Sequence, residues 1–225
     1  MTPHPRRFAA LSVLTLIVLS GCAQDTSTVA APASPSEVVT GPSEQSVAPP
    51  AVAAADPDLD RAKAAAQAFS GQLRGRLQAA MAEGGPLNAV EVCHTEAPRI
   101  AGTVMAEHGV RLGRAALPGR NRHPAQAADD WRLTTLERFR QAVTEGGAAG
   151  EQVTVMREGL PDGVALRMMR GIATEPGCLA CHGQDVAAPV REAILARYPD
   201  DRATGFAVGD LRGALWVEVP VSYAN

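Results

Sequence analysis

The chain has 225 residues with 21 basic and 24 acidic side chains, a formal net charge of -3, and so lacks the clustered basic excess of a nucleic-acid footprint. All but one of the basic residues are arginine, and the single Lys63 is the one position open to a lysine Schiff base. Aromatic residues make up 4% of the chain, which makes the core aliphatic, and four cysteines are too few for a disulfide scaffold and too unevenly spaced for a four-cysteine zinc site.

Residues 1–21 have the form of an export leader. Arg6 and Arg7 form a positive start and Phe8 to Leu19 an apolar stretch, shorter than the ~20 residues of a spanning helix. Leu19-Ser20-Gly21-Cys22 looks like a bacterial lipobox, whose cysteine is acylated and becomes the mature N-terminus; the alternative is an ordinary secretory signal with an incidental cysteine. The expected location is the bacterial cell envelope, facing the periplasm, and Ala23 after Cys22 favours the outer membrane over the inner. Residues 22–57 then read as a disordered tether. Between Ala23 and Pro57, 23 of 35 residues are Ala, Pro, Ser or Thr, with no Lys, Arg or aromatic residue, so there is little to bury. With the leader gone, 19 basic residues face 24 acidic ones, and the lipid on Cys22, not charge, holds the chain to a membrane.

Residues 58–225 form one α+β domain, helices first. Asp56 and Pro57 read as an N-cap and first helical residue, and Leu59, Ala62, Ala66, Phe69, Leu73, Leu77 and Ala80 step along one face. Gly84-Gly85-Pro86 stops this helix. A second, from Leu87 to Glu107, puts Val90, Cys93, Ala97, Ile100 and Val104 on one stripe. Pro98 removes the amide that would bond the carbonyl of His94, which predicts a kink just past Cys93 and space beside its thiol. Strands are predicted at Arg111 to Leu117, Gln152 to Arg157, Val164 to Thr174 and Leu215 to Val221, joining in one antiparallel sheet. Leu133, Leu136, Phe139 and Val143 mark a third helix ended by Gly146-Gly147, and Val190, Ile194 and Tyr198 a short fourth.

The chemistry is concentrated in Cys178-Leu179-Ala180-Cys181-His182. Two cysteines three apart lie on one side of a turn, where their thiols can add to the two vinyl groups of one haem c, and the adjacent His182 offers a ring nitrogen to the iron. Three readings compete: a thioredoxin-like redox pair, half of a zinc site and a plain disulfide. The first belongs with a βαβ pattern absent from the sequence, and the second needs further ligands at matching spacing.

Cys93 is then the one cysteine without a role. It is either a small buried hydrophobe or a thiolate ligand to the haem iron opposite His182, with His94, His123, Met105, Met168 and Met169 as rival ligands.

Three segments carry a family resemblance: Cys93-His94-Thr95-Glu96-Ala97-Pro98-Arg99-Ile100-Ala101, Cys178 to Gly183, and Tyr198 to Phe206 continuing through Gly209-Asp210-Leu211-Arg212-Gly213. Together they resemble the single-haem c-type cytochrome domain of PAS-like fold, long catalogued as a domain of unknown function, over nearly everything from Asp58 onward. The resemblance implies that Cys93 is the distal haem ligand, with His182 the proximal one. It also implies Arg-Asn-Pro-x-Asn-x-Pro-Asp-x-Trp-Glu where this chain has Arg122 to Arg132, with His123 and Gln126 for the two Asn, Ala128 for a Pro and Arg132 for the Glu. His123 reads as a solvated loop histidine or, alternatively, as a group that tunes or ligates the haem.

Iron held by His182 and a thiolate has no vacant position for substrate, and the anionic sulfur favours the ferric state, so the chain is not expected to be an enzyme. A peroxidase-like reading would need an open iron and His123 as its acid-base group. The leading expectation is an exported monohaem cytochrome lipoprotein that senses redox state, or a gas, through a separate signalling or redox protein of the envelope. The alternative is a periplasmic electron carrier. PAS-like architecture favours the sensor by analogy alone.

Overall fold

The computed structural model describes residues 55–222; the leader, Cys22 and nearly all of the tether region lie outside them. Helix α1, Pro57–Glu91, starts as the sequence predicts. Asp56 caps it by accepting the amide of Leu59 at 3.1 Å, and Pro57 sits in the first turn. Ala62, Ala66, Phe69, Leu73 and Ala80 are buried along its inner face.

The predicted stop at Gly84-Gly85-Pro86 is a kink inside α1. Gly84 and Gly85 leave helical geometry, Gly85 at φ 67°, and the helix resumes through Pro86. The break past Cys93 takes the form of a π turn, Val92–Glu96, in which the amide of Ala97 reaches back to the carbonyl of Val92. Pro98 has no amide to give His94, so the chain closes a wider loop and then runs on as helix α2, Ala97–His108. This added residue rotates the expected stripe. Val90 packs with Val190, Ile194 and Tyr198, whereas Ala97, Ile100 and Val104 join the main core.

Strands β1 (Arg111–Ala116), β2 (Val153–Met156), β3 (Val164–Ala173) and β4 (Leu211–Pro220) pair antiparallel in the order β1-β4-β3-β2. β4 begins four residues before the predicted Leu215, and Val221 lies past its end, exposed. With side chains alternating across the sheet, Met168, Leu215, Val217 and Val219 meet α1 and α2 on one face, while Met169, Leu211 and Ala214 meet the other core. That second face is covered by α3 (Asp130–Thr144) through Leu136 and Phe139. Each such side chain, fully buried, stabilises the fold by roughly 1.5–3 kcal/mol. The buried Glu218 on β4 is opposite Arg111 on β1 and Arg167 on β3, and it accepts from both, at 3.0 and 2.7 Å.

A short helix α4 (Leu179–His182) and helix α5 (Ala188–Arg197) lie between β3 and β4. The result is the α+β domain that the sequence predicts. Among the described residues no helix is long and apolar enough to cross a membrane.

Candidate functional site

Helix α4 is one turn long and carries Cys181 and His182; Cys178 ends the 3₁₀ turn, Pro176–Cys178, that leads into it. The two cysteines and His182 are half-buried, and Cys93, Cys178 and Cys181 are free thiols. Burial pushes the Cys181 thiol up, against the pull of the Arg122 guanidinium.

Both ring nitrogens of His182 have partners. Nδ1 lies 2.6 Å from the carbonyl of Ala203 and Nε2 lies 2.7 Å from Nη1 of Arg212. A carbonyl can only accept and a guanidinium can only donate, so Nδ1 carries the proton and Nε2 presents a lone pair. Burial, reinforced by Arg212 and Arg122, holds the ring well below the ordinary imidazole range and therefore neutral, the state that a metal ligand needs.

The segment from Asp201 to Phe206 clamps this turn. Phe206 and Gly205 donate backbone amides to the carbonyls of His182 and Gly183, at 3.0 and 2.8 Å. Asp201, buried, takes Arg122 on both carboxylate oxygens and the amide of Ala203 on one of them, while Arg122 donates to the carbonyl of Cys181 at 2.8 Å. The family-like segment after Tyr198 is thus the mount of the cysteine-histidine turn. The sequence supplies its residues, but a role for Asp201 and Ala203 needs partners far away in the chain.

His182 opens into a cavity of about 380 Å³, within the ~300–1,000 Å³ usual for cofactor sites. The π turn brings Cys93 to its lining, half-buried, and Phe69, Ala97 and Ala101 add apolar wall. Tyr198 closes one side, its hydroxyl pushed up by burial and then by Cys93. Among the rival ligands, His94 and His123 line the cavity and are exposed, whereas Met105, Met168 and Met169 do not line it. Met169 is fully buried against α3 on the far face.

His123 has a local job. Its Nδ1 accepts the amide of Ala125 at 3.1 Å and caps the 3₁₀ turn Pro124–Gln126. An asparagine in that place accepts the same i+2 amide, so the substitution preserves the loop. Arg132, in the place of the expected glutamate, grips Asp129 through two contacts of 2.6 Å and stacks over Trp216.

Sequence reasoning missed the arginines. Arg114, Arg120, Arg122 and Arg212 all line the cavity, and among the described residues no Asp or Glu does. Nε of Arg120 and Nε of Arg212 are buried with no partner among the described residues, and burial pulls the Arg212 guanidinium below its usual range. Among the described residues no group of three or more His, Cys, Asp or Glu is arranged around a bare ion. The donor set fits a haem instead: two thiols on one turn, a neutral imidazole and a further thiol on the lining of a cavity with apolar wall, and two arginines there whose buried Nε groups have no partner among the described residues and suit an anionic macrocycle.

Residues 44–220 match the model of the Tll0287-like family, described as Tll0287. The chain belongs to the Tll0287-like family. Its fold is similar to the solved structure of the cyanobacterial heme-protein Tll0287, with a TM-score of 0.54 and 27% identity, over 76% of this chain and 100% of that one. No curated protein matches the chain. The Tll0287-like match spans the cysteine-histidine turn, Cys93 and the clamp alike.

Proposed function

We propose that the chain is an exported monohaem cytochrome that reports redox state to a separate protein of the cell envelope and catalyses no reaction. The observation that carries the haem reading is His182, its Nδ1 proton held by the carbonyl of Ala203, on the lining of a cavity that Cys93 also lines. Cys178 and Cys181 would hold the haem through two thioethers, each an addition of an S–H bond across a vinyl group with no redox change, and His182 and Cys93 would supply iron ligands from separate elements. Bound haem supplies a one-electron iron couple, held toward the ferric state by the thiolate.

This chain's own residues do the rest. Ala203 fixes the tautomer of His182, and Asp201 and Arg122 help to fix the turn. The sensor reading is supported by where Cys93 sits. A π turn is a local irregularity frequent at functional sites, and α2 follows it directly, so a change in the hold on Cys93 acts on a helix packed against the sheet. Electron transfer is the second reading, favoured by the exposure of His94 and His123 on the lining. Attachment to a membrane through a lipid on Cys22, with residues 22–57 as spacer, rests on the lipobox-like Leu19-Ser20-Gly21-Cys22.

The test is the ferric and ferrous absorption spectrum of the full chain made with haem-attachment machinery, beside Cys93→Ala. The expected result is a low-spin thiolate spectrum in the wild type, absent from the variant and altered on reduction. Identical spectra in the two proteins would remove Cys93 from the iron and turn the reading to electron transfer.

A further inference from the structure

We propose that Arg212 and Arg114, together with Arg120, form an anion-binding wall that takes the two propionate carboxylates of the haem. The inference rests on the haem reading and adds what that reading leaves open: which side of the cavity meets the carboxylate edge of the cofactor.

Charge supplies the first argument. Among the described residues four arginines line the cavity and no carboxylate does. Arg122 is already matched by Asp201, and among the described residues neither Arg114, Arg120 nor Arg212 forms an ion pair. Uncompensated cations at a low-dielectric wall are costly unless an anion joins them. A haem brings two carboxylates.

Hydrogen bonding supplies the second. Arg120 donates to the carbonyl of Thr204 at 2.6 Å and stacks over Phe206 at 3.9 Å, yet its buried Nε has no acceptor. Arg212 also has a buried, unpartnered Nε, and its Nη1 donates to the ring nitrogen that ligation would claim. Once Nε2 of His182 is taken, Arg212 has lost its acceptor, and among the described residues no carboxylate on the lining replaces it. Buried guanidinium N–H groups without acceptors are rare because each costs its desolvation. A bidentate carboxylate is the group that a guanidinium fork fits best.

The experiment uses the haem-loaded full chain, with ¹³C placed at the propionate carboxyls through a labelled haem precursor. Infrared redox-difference spectra are recorded for wild type, Arg212→Gln, Arg212→Lys and Arg114→Gln, with the exposed Arg191→Gln as control. The expected result is a displaced carboxylate band in both glutamine variants, partial return in Arg212→Lys and no change in the control. Losing a cation beside the haem also favours the ferric form, by about tenfold in the ferric-to-ferrous ratio at fixed solution potential, or ~59 mV for one electron. Arg114→Gln, on a different strand, carries the test if the Arg212 variants fail to accumulate. Haem present with bands and potentials unmoved would overturn the wall alone; wild-type protein without covalent haem would overturn the haem reading and the wall with it.

Discussion

Asp201 holds Arg122 from 79 residues away, with Oδ1 accepting Nε at 2.9 Å and Oδ2 accepting Nη2 at 3.3 Å, and both side chains are more than nine-tenths buried. Through Arg122 the carboxylate steadies the carbonyl of Cys181, and directly it holds the amide beside the carbonyl that orients His182. A cysteine-histidine turn of four helical residues has no stability of its own, so it is held by this pair together with the amides of Gly205 and Phe206.

Replacing Asp201 with Ala strands the Arg122 charge in the interior. The expected loss is about 3–5 kcal/mol, read as a lower urea midpoint with unchanged slope. A loss below about 1 kcal/mol would mean that water or another group takes over from Asp201.

The neutral state of His182 makes haem-free protein, expressed without attachment machinery, sensitive to acid. The folded ring titrates well below its usual range because it is buried and beside Arg212, while the unfolded ring takes a proton near pH 6.5. Above about pH 6.5 both forms are neutral and this group leaves stability flat; below it the unfolded state binds the extra proton and stability falls, by up to ~1.4 kcal/mol per pH unit. His182→Gln removes that part of the slope. A wild-type urea midpoint as steep in pH as that of His182→Gln would contradict the assignment.

Gly213 sits on β4 next to Arg212, with φ at 149°, and a Cβ there would lie 2.4 Å from the carbonyl oxygen of Ala115 on β1. Strand pairing leaves the backbone no room to yield. Gly213→Ala is expected to cost roughly 1–3 kcal/mol from its backbone conformation and more from the clash. Gly119→Ala shares a positive φ, 68°, but meets no neighbour, and thermal unfolding should place it clearly above Gly213→Ala.

Met168 and Met169 lie on the two faces of β3, each inside a hydrophobic core and neither on the cavity lining. In haem-loaded protein, Met168→Leu and Met169→Leu should leave the ferric and ferrous spectra as they are, with stability within about 1.5 kcal/mol because the swap keeps volume and apolarity. A changed ligand band in either variant would put a methionine on the iron.

The start of α1, the break past Cys93, most of each strand and the cysteine-histidine turn are legible in the sequence, whereas the glycine pair Gly84-Gly85 reads as a stop and is a kink inside α1. Their causes are local: a capping carboxylate, a missing amide at Pro98, apolar side chains at helical or strand spacing, two thiols one turn apart. What the sequence could not show is how those parts meet. The π turn rotates Val90 away from Ala97 and Val104; the arginines on β1, on β4 and in the loop after β1 converge on one cavity; Asp201 reaches Arg122 across 79 residues and Ala203 reaches His182 across 21. An arginine in a linear pattern reads as solvated surface, because its character depends on which carboxylates lie near it, and that is decided only when the strands pair and close the cavity around it.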